Sequence, residues 1–464
     1  MRPLRLFPLA TLLALLLPAA VSAQAADVRV RLFGTAAPAS VTVTGAATVT
    51  MDGAPVGRTR AGGTLTVLRD ADEVEVSGGG FAAEGRRVEI TPEAGTLHVV
   101  AGRQTVDVAG SVTGLVWGGA LAVVNRVPMP DYVASVVASE YGFPEIEGVK
   151  AQAVLARTYA ARAATVQRPF DVDDHQGSQV YRGAGVVTET ARRAERETRG
   201  QILTYGGAPV EALYSSSSGG HTADNEAVWG TAPVPYLRGV PDPYDDAAPD
   251  HAWRTTADAA RLASVLARRY GGAVTGVEVA ERSREGRAVR VRLLGTPTVI
   301  SGADFRTVVN GSLGWRTVRS TLFAVTTEGG QVVFTGGGFG HGVGMSQYGA
   351  RGQARAGRTY RDILGFYFAG TAISGGDAPV LLASDQTRPA LPRSAQQAPW
   401  PPAQTDARGA PRAPRTSAPS APRASSPSAP SASPWPTPRA SPPVPPRASV
   451  PRAAGPRADR KSVV

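Results

Sequence analysis

Residues 127–166, VPMPDYVASVVASEYGFPEIEGVKAQAVLARTYAARAATV, restrict the fold of this chain more than any other stretch, because they set an acidic residue inside an apolar helical stripe. Pro128 and Pro130 end the strand that precedes them, and Asp131 is a candidate N-cap. Val133, Val136 and Val137 then predict a helix over residues 132–141. Glu140 follows Val133 by one heptad, so at about 100° per residue it falls about 20° from that valine, within the stripe. A carboxylate aimed at a protein interior is disfavoured as an anion, which raises its pKa and lets it hold a proton near neutral pH. That is what a general acid requires. The commoner use of such a position is a structural ion pair, with Arg157 or Lys150 on the following helix as partner.

Gly142 closes the first helix, and Pro144 opens a second with Glu145 and Glu147 in its first turn. Alanines at 151, 153, 156, 160 and 161 let the two helices approach closely and fix Glu140 in place. Lys150 and Arg157 share a face of the second helix. They read either as substrate-facing or as counter-ions of Glu140, Glu145 and Glu147.

Two further stretches are dense in motif residues. SSSSGGHTADNEAVWG, residues 215–230, follows a hairpin predicted over residues 201–214 and is too long for a simple connection. GGGFGHGVGMSQYGARGQARAGRTYRDILGFYFAGTAI, residues 336–373, carries glycines that let the backbone pass close to a ligand. It lacks the Gly-Lys-Ser/Thr ending of a phosphate-binding loop.

Together these stretches resemble the stage II sporulation protein D family, also called the SpoIID/LytB or amidase-enhancer family. Its members carry a hydrophobic helix ending in an acidic residue, then a KAQA-type helix, here Lys150-Ala151-Gln152-Ala153 running on to Ala160. The family's Ser-Gly-Gly loop with an acidic residue and a tryptophan corresponds to Gly219, Gly220, Glu226 and Trp229, and its GHGVGMSQYGA signature to Gly340 through Ala350. The resemblance implies a lytic transglycosylase that cleaves MurNAc-GlcNAc bonds of peptidoglycan, with Glu140 as the catalytic acid. It also implies a sugar cleft that includes Gly219, Gly220, Glu226, Trp229, His341, Ser346, Gln347 and Tyr348, to which the residues themselves add Ser215, Ser217 and His221 of the serine-rich loop and, in their substrate-facing reading, Lys150 and Arg157. Trp229 is a candidate stacking platform, a buried tryptophan in a Gly/Ser loop being the alternative.

In the implied reaction Glu140 protonates the departing glycosidic oxygen. Its carboxylate then takes the proton of the muramyl C6 hydroxyl, which closes a 1,6-anhydro ring. A hydrolase would need a second acid, for which Asp224 or Glu226 stands nearby in sequence. Two other classes stay open. One is a non-catalytic wall-binding enhancer of a cell-wall amidase. The other is a Ser/His hydrolase using His221 or His341, although the spacing around Ser346 differs from a nucleophile elbow. Glycan strands, in the family often those stripped of stem peptides, are the expected partner, with a cell-wall amidase as a second candidate. No cofactor or metal is expected. Some members hold zinc through cysteines, this chain has none, and His175 beside Asp173 and Asp174 reads as an ordinary surface histidine.

The rest of the chain sets the frame. Residues 1–23 carry Arg2 and Arg5, an apolar run and a Val21-Ser22-Ala23 end, which predicts a signal peptide and a secreted, periplasmic or envelope location, with no stable transmembrane segment. Alternating β-formers over residues 24–109 predict an all-β module, followed by a catalytic domain over residues 110–375. The net charge of +11 resides almost wholly in residues 386–464, a disordered Pro/Ala/Ser/Arg tail with twelve basic and two acidic residues. A folded nucleic-acid surface is therefore not expected. The fold class is α+β, an antiparallel β-rich body with a paired-helix catalytic element.

Overall fold

The computed structural model describes residues 27–36, 38–164 and 167–375, so the expected signal peptide and basic tail lie outside the described residues. The described chain is α+β and rich in strands.

Alternation in the first hundred residues produces two sheets. In the strand Thr64–Asp70, for example, Leu65 and Val67 point inward while Thr64 and Arg69 are exposed. One sheet runs in the order Val172–Asp173, Asp27–Leu32, Ala120–Pro128, Ser111–Trp117, Arg87–Pro92, Ala47–Met51, Ala54–Thr59. The other runs Gln104–Ala109, Thr96–Ala101, Ser40–Thr44, Thr64–Asp70, Glu73–Gly78, Phe81–Gly85. Neighbours are antiparallel except Asp27–Leu32 with Val172–Asp173. The polar stretch of residues 171–181 contains the short strand Val172–Asp173 near its start, and Gln179, Val180 and Tyr181 are non-strand residues.

Helices follow as α1 (Met129–Glu140), α2 (Ile146–Ala163), α3 (Glu189–Glu197), α4 (Asn225–Trp229), α5 (Ala259–Tyr270), α6 (Gly302–Leu313), α7 (Gln347–Arg355) and α8 (Tyr360–Tyr367). α1 starts earlier than its apolar spacing predicts. Pro128 occupies the N-cap position, and Asp131 lies in the first turn, where it binds Arg192 at 2.5 Å. Proline fits there because the first helical N–H groups need no intrahelical acceptor. α5 starts only at Ala259, since Trp253–Asp258 forms a strand and Asp258 Oδ1 caps the helix through the Arg261 N–H at 2.7 Å. The hairpin of Ile202–Tyr205 with Ala208–Pro209 turns at Gly206 and Gly207, as expected.

One hydrophobic core joins Val28 and Val123 of the sheets to Val133 and Val137 of α1, Ala153 and Ala156 of α2, and Phe368. A second core lies within residues 253–334 around Phe305, Phe323 and Phe334. α2 packs through its alanines against α1, α3, α7 and α8. Because the strand Ala120–Pro128 runs straight into α1, the sheet fixes the direction of that helix and hence where its last residue, Glu140, emerges.

Candidate active site

Glu140 ends α1 and is half-buried. Its Oε1 accepts the Val180 N–H at 2.7 Å, and the Tyr214 hydroxyl hydrogen-bonds the same carboxylate. Burial raises its pKa to about 7, opposed by the Val180 N–H, by Tyr214 and by the charge of Arg182. The negative end of α1 acts in the same direction as burial. Glu140 forms no ion pair with any described residue, so neither Lys150 nor Arg157 neutralises it. Lys150 binds Glu147 at 2.8 Å and Glu197 at 2.7 Å. Arg157, 1% exposed, donates to the Gln201 carbonyl at 3.0 Å and lies 3.6 Å from Glu195. Glu145 is held by Arg351 and Arg355.

A buried polar relay supports the carboxyl. Tyr132 donates to Gln179 Oε1 at 2.8 Å, and Gln179 Nε2 donates to the Tyr214 hydroxyl at 3.1 Å. Tyr132 stacks on Tyr181 with ring centroids 5.7 Å apart, and Tyr181 donates to Asn125 Oδ1 at 2.8 Å. Asn125 in turn donates to the Ala109 and Ser111 carbonyls, which carries the relay back into the sheet. Sequence reading passed over Tyr214, Gln179 and Val180. The only local signal was a polar Gln between apolar and aromatic residues in a segment that forms no ladder.

The 215–230 and 336–350 stretches lie against each other. Tyr214–Ser215 pairs parallel with Met345–Ser346, Ser217 bridges Phe339, and Ala223 bridges Val343. Glycine is needed here for loop-to-loop contact: Gly219 has φ 71°, and a side chain on it would run into the Gly337–Gly338 peptide. Asp245, fully buried, fastens the two loops. It accepts from Ser217 Oγ at 2.6 Å, Ser218 N at 3.1 Å, Gly219 N at 3.0 Å and Ser346 Oγ at 2.7 Å. Its neighbour Asp242 takes Ser218 Oγ at 3.0 Å and Tyr367 at 2.9 Å, and burial lifts its pKa to about 6.

The remaining candidates fall in three groups. Gln347 and Tyr348 reach the Glu140 end of α1: Gln347 Nε2 donates to the Glu140 carbonyl at 3.0 Å, and Tyr348 packs edge-on against Phe143 at 4.8 Å. His341 and Trp229 pack together with centroids 5.5 Å apart, both partly exposed. His341 Nδ1 accepts the Val343 N–H at 3.1 Å, and the ring donates to the Tyr214 carbonyl, which puts its proton on Nε2. Burial, reinforced by Arg306 and Arg287, lowers its pKa to about 4, so the ring is neutral. The third group is tied into the protein. Ser217 and Ser346, each 1% exposed, give their hydroxyls to Asp245, and Ser346 also caps α7. Ser215 sits under Gly340, and His221 Nδ1 lies 2.7 Å from the Thr222 carbonyl. Glu226 is gripped by both terminal nitrogens of Arg238, which holds its carboxyl below the usual range, while Asp224 accepts from Gly239 N at 2.7 Å and Arg284 at 3.2 Å.

The DVDDH loop is also committed: Asp173 to Arg31, Asp174 to the Phe33 N–H, His175 to the Gly177 N–H. Among the described residues no group of three or more His, Cys, Asp or Glu stands at metal-holding distance, and no helix is long and apolar enough to cross a membrane.

The family profile described as stage II sporulation protein (SpoIID) matches residues 118–205, which contain Glu140, and a domain of unknown function (DUF8618) matches residues 246–344. Stage II sporulation protein D of Bacillus subtilis is 35% identical over 282 residues, 55% of this chain and 77% of the relative. The protein of the same name from Bacillus amyloliquefaciens is 34% identical over 55% of this chain and 76% of its own length. The amidase enhancer of Bacillus subtilis is 28% identical over 49% of this chain and 38% of its own length. At this identity and coverage, the chain belongs to the stage II sporulation protein D family.

Proposed function

We propose that this protein cleaves the glycan strands of peptidoglycan as a lytic transglycosylase, with Glu140 serving first as acid and then as base. The observation that carries the reading is a carboxyl with pKa about 7, half-buried, without an ion pair to any described residue, where α1 meets Val180, Tyr214 and the start of α7. Such a group is protonated in about half the molecules at neutral pH, so it can give a proton to the glycosidic oxygen and take one from the muramyl C6 hydroxyl. Asp224 and Glu226, the candidates for a second catalytic acid, are both engaged by arginines, which favours the route in which the sugar supplies its own nucleophile. The Ser346 hydroxyl donates to Asp245 and not to a histidine, which disfavours a Ser/His hydrolase.

The likeness to an amidase enhancer supports a second reading, in which the protein binds the wall and stimulates an amidase. Purified protein incubated with glycan strands separates the two. Mass spectrometry should find 1,6-anhydro ends in the absence of any amidase. Glycan retained on the protein without new ends, together with stimulation of an added amidase, would select the second reading.

A further inference from the structure

The relay behind Glu140 has a direction, and its inner end sets it. Tyr132 and Gln179 are wholly buried, and burial pushes the Tyr132 and Tyr214 hydroxyls well above the usual phenol range, so both keep their protons. A buried hydroxyl proton needs an acceptor. Gln179 Oε1, 2.8 Å away, is the one acceptor that the Tyr132 hydroxyl has among the described residues. An amide carries its oxygen at one side and its N–H groups at the other, so taking the Tyr132 proton turns Nε2 toward Tyr214, 3.1 Å away. The Tyr214 oxygen then accepts from Gln179, and its own proton goes out to Glu140. Tyr159 and Arg182 are the other titratable or charged groups around that carboxyl. Both bond elsewhere, Tyr159 to Ser178 and Arg182 to the Asp174 carbonyl.

With the Val180 N–H and the Tyr214 hydroxyl both donating to it, the Glu140 carboxyl meets donors on its protein side. A neutral carboxylic acid brings a donor of its own, which neighbours so arranged cannot accept. We propose that Tyr132 is a positioning residue: by fixing the Gln179 amide it turns the Gln179 and Tyr214 donors toward Glu140 and leaves the acid proton facing the open side, where a glycosidic oxygen would take it. The inference rests on the reading of Glu140 as the acid. A reversed relay would run from protonated Glu140 through Tyr214 to a turned Gln179. In the native chain that arrangement stops at Tyr132, whose proton would be left without an acceptor. Phenylalanine at 132 removes that proton, so the reversed relay becomes as good as the forward one and Glu140 gains an inward acceptor.

The test reads the Glu140 proton itself, by carbon NMR of side-chain-labelled glutamate in the full chain, with Glu140→Gln identifying the resonance. Tyr132→Phe keeps the ring that stacks on Tyr181. It should move the Glu140 midpoint from about 7 to about 8, because the inward bond stabilises the protonated form alone. In a Tyr214→Phe background, where the relay is already cut, Tyr132→Phe should move the midpoint no further. An unchanged midpoint in Tyr132→Phe overturns the proposal. So does an equal rise with or without the Tyr214 hydroxyl, which would make Tyr132 a general support of the core. The unaltered protein supplies a check that depends on no variant folding: the Gln179 side-chain amide protons should show NOEs to the Tyr214 ring. NOEs to the Tyr132 ring in their place would overturn the direction assigned to the relay. All of these readings are made without substrate. If they hold while glycan incubation yields no anhydro ends, the relay stands and the reaction assigned to Glu140 falls.

Discussion

Gln347 Nε2 donates to the carbonyl of Glu140 at 3.0 Å, tying the last residue of α1 to the first residue of α7. A carbonyl at a helix end has no partner within its own helix, so this bond both satisfies it and sets the angle at which the Glu140 side chain leaves. Replacing Gln347 by Ala should lower stability by about 1 kcal/mol and reduce kcat more than it raises KM. Denaturant melts and steady-state kinetics on glycan check the two effects.

Tyr214 stabilises the anionic form of Glu140, and its loss should therefore raise the carboxyl pKa further. The kcat/KM profile of Tyr214→Phe should accordingly move to the alkaline side of the wild-type profile. An acid-side movement would assign the hydroxyl a different role.

Glu140 binds its proton more tightly in the folded chain than in the unfolded one, whose carboxyl titrates at the ordinary value of 4.5. Between that value and about 7 the folded state holds more protons, so stability falls as pH rises through this window. Glu140→Gln removes the ionised form, and it should be more stable than wild type at pH ~8 by up to about 3 kcal/mol, the gain fading toward pH ~5. Urea midpoints across that range measure it.

Asp245 is the fastener between the two glycine-rich loops. Asp245→Ala leaves the Ser217 and Ser346 hydroxyls and the Ser218 and Gly219 N–H groups without their acceptor. About 3 kcal/mol of stability should be lost. Hydrogen exchange should rise in residues 215–220 and 339–347 before it rises in the seven-stranded and six-stranded sheets.

Much of this was legible in the sequence because it depends on local spacing. The apolar stripe that contains Glu140, the alanine-rich α2 and the hairpin turns are properties of consecutive residues. Contacts between distant segments were not legible. Nothing near Arg157 says that α3 brings Glu195 to it, and nothing near Glu140 says that Val180 and Tyr214 will close over its carboxyl. Serines that read as sugar donors proved to be anchored on Asp245, an acid in the PYDD stretch that no pattern singles out. By sequence alone, the glycines of residues 336–344 predict a backbone that passes close to a ligand. Gly338 and Gly340 instead meet the neighbouring 215–220 loop, and Gly342 lies against Arg287.

The account depends on Glu140 holding a proton close to neutrality, and carbon NMR of side-chain-labelled glutamate, taken as the difference between wild type and Glu140→Gln, reads that directly. A carboxyl resonance titrating with a midpoint of about 7 is the predicted result. A midpoint at 4.5, the value of a free glutamate side chain, would mean that Glu140 is an ordinary ionised carboxylate at neutral pH, and the acid role assigned to it would fail.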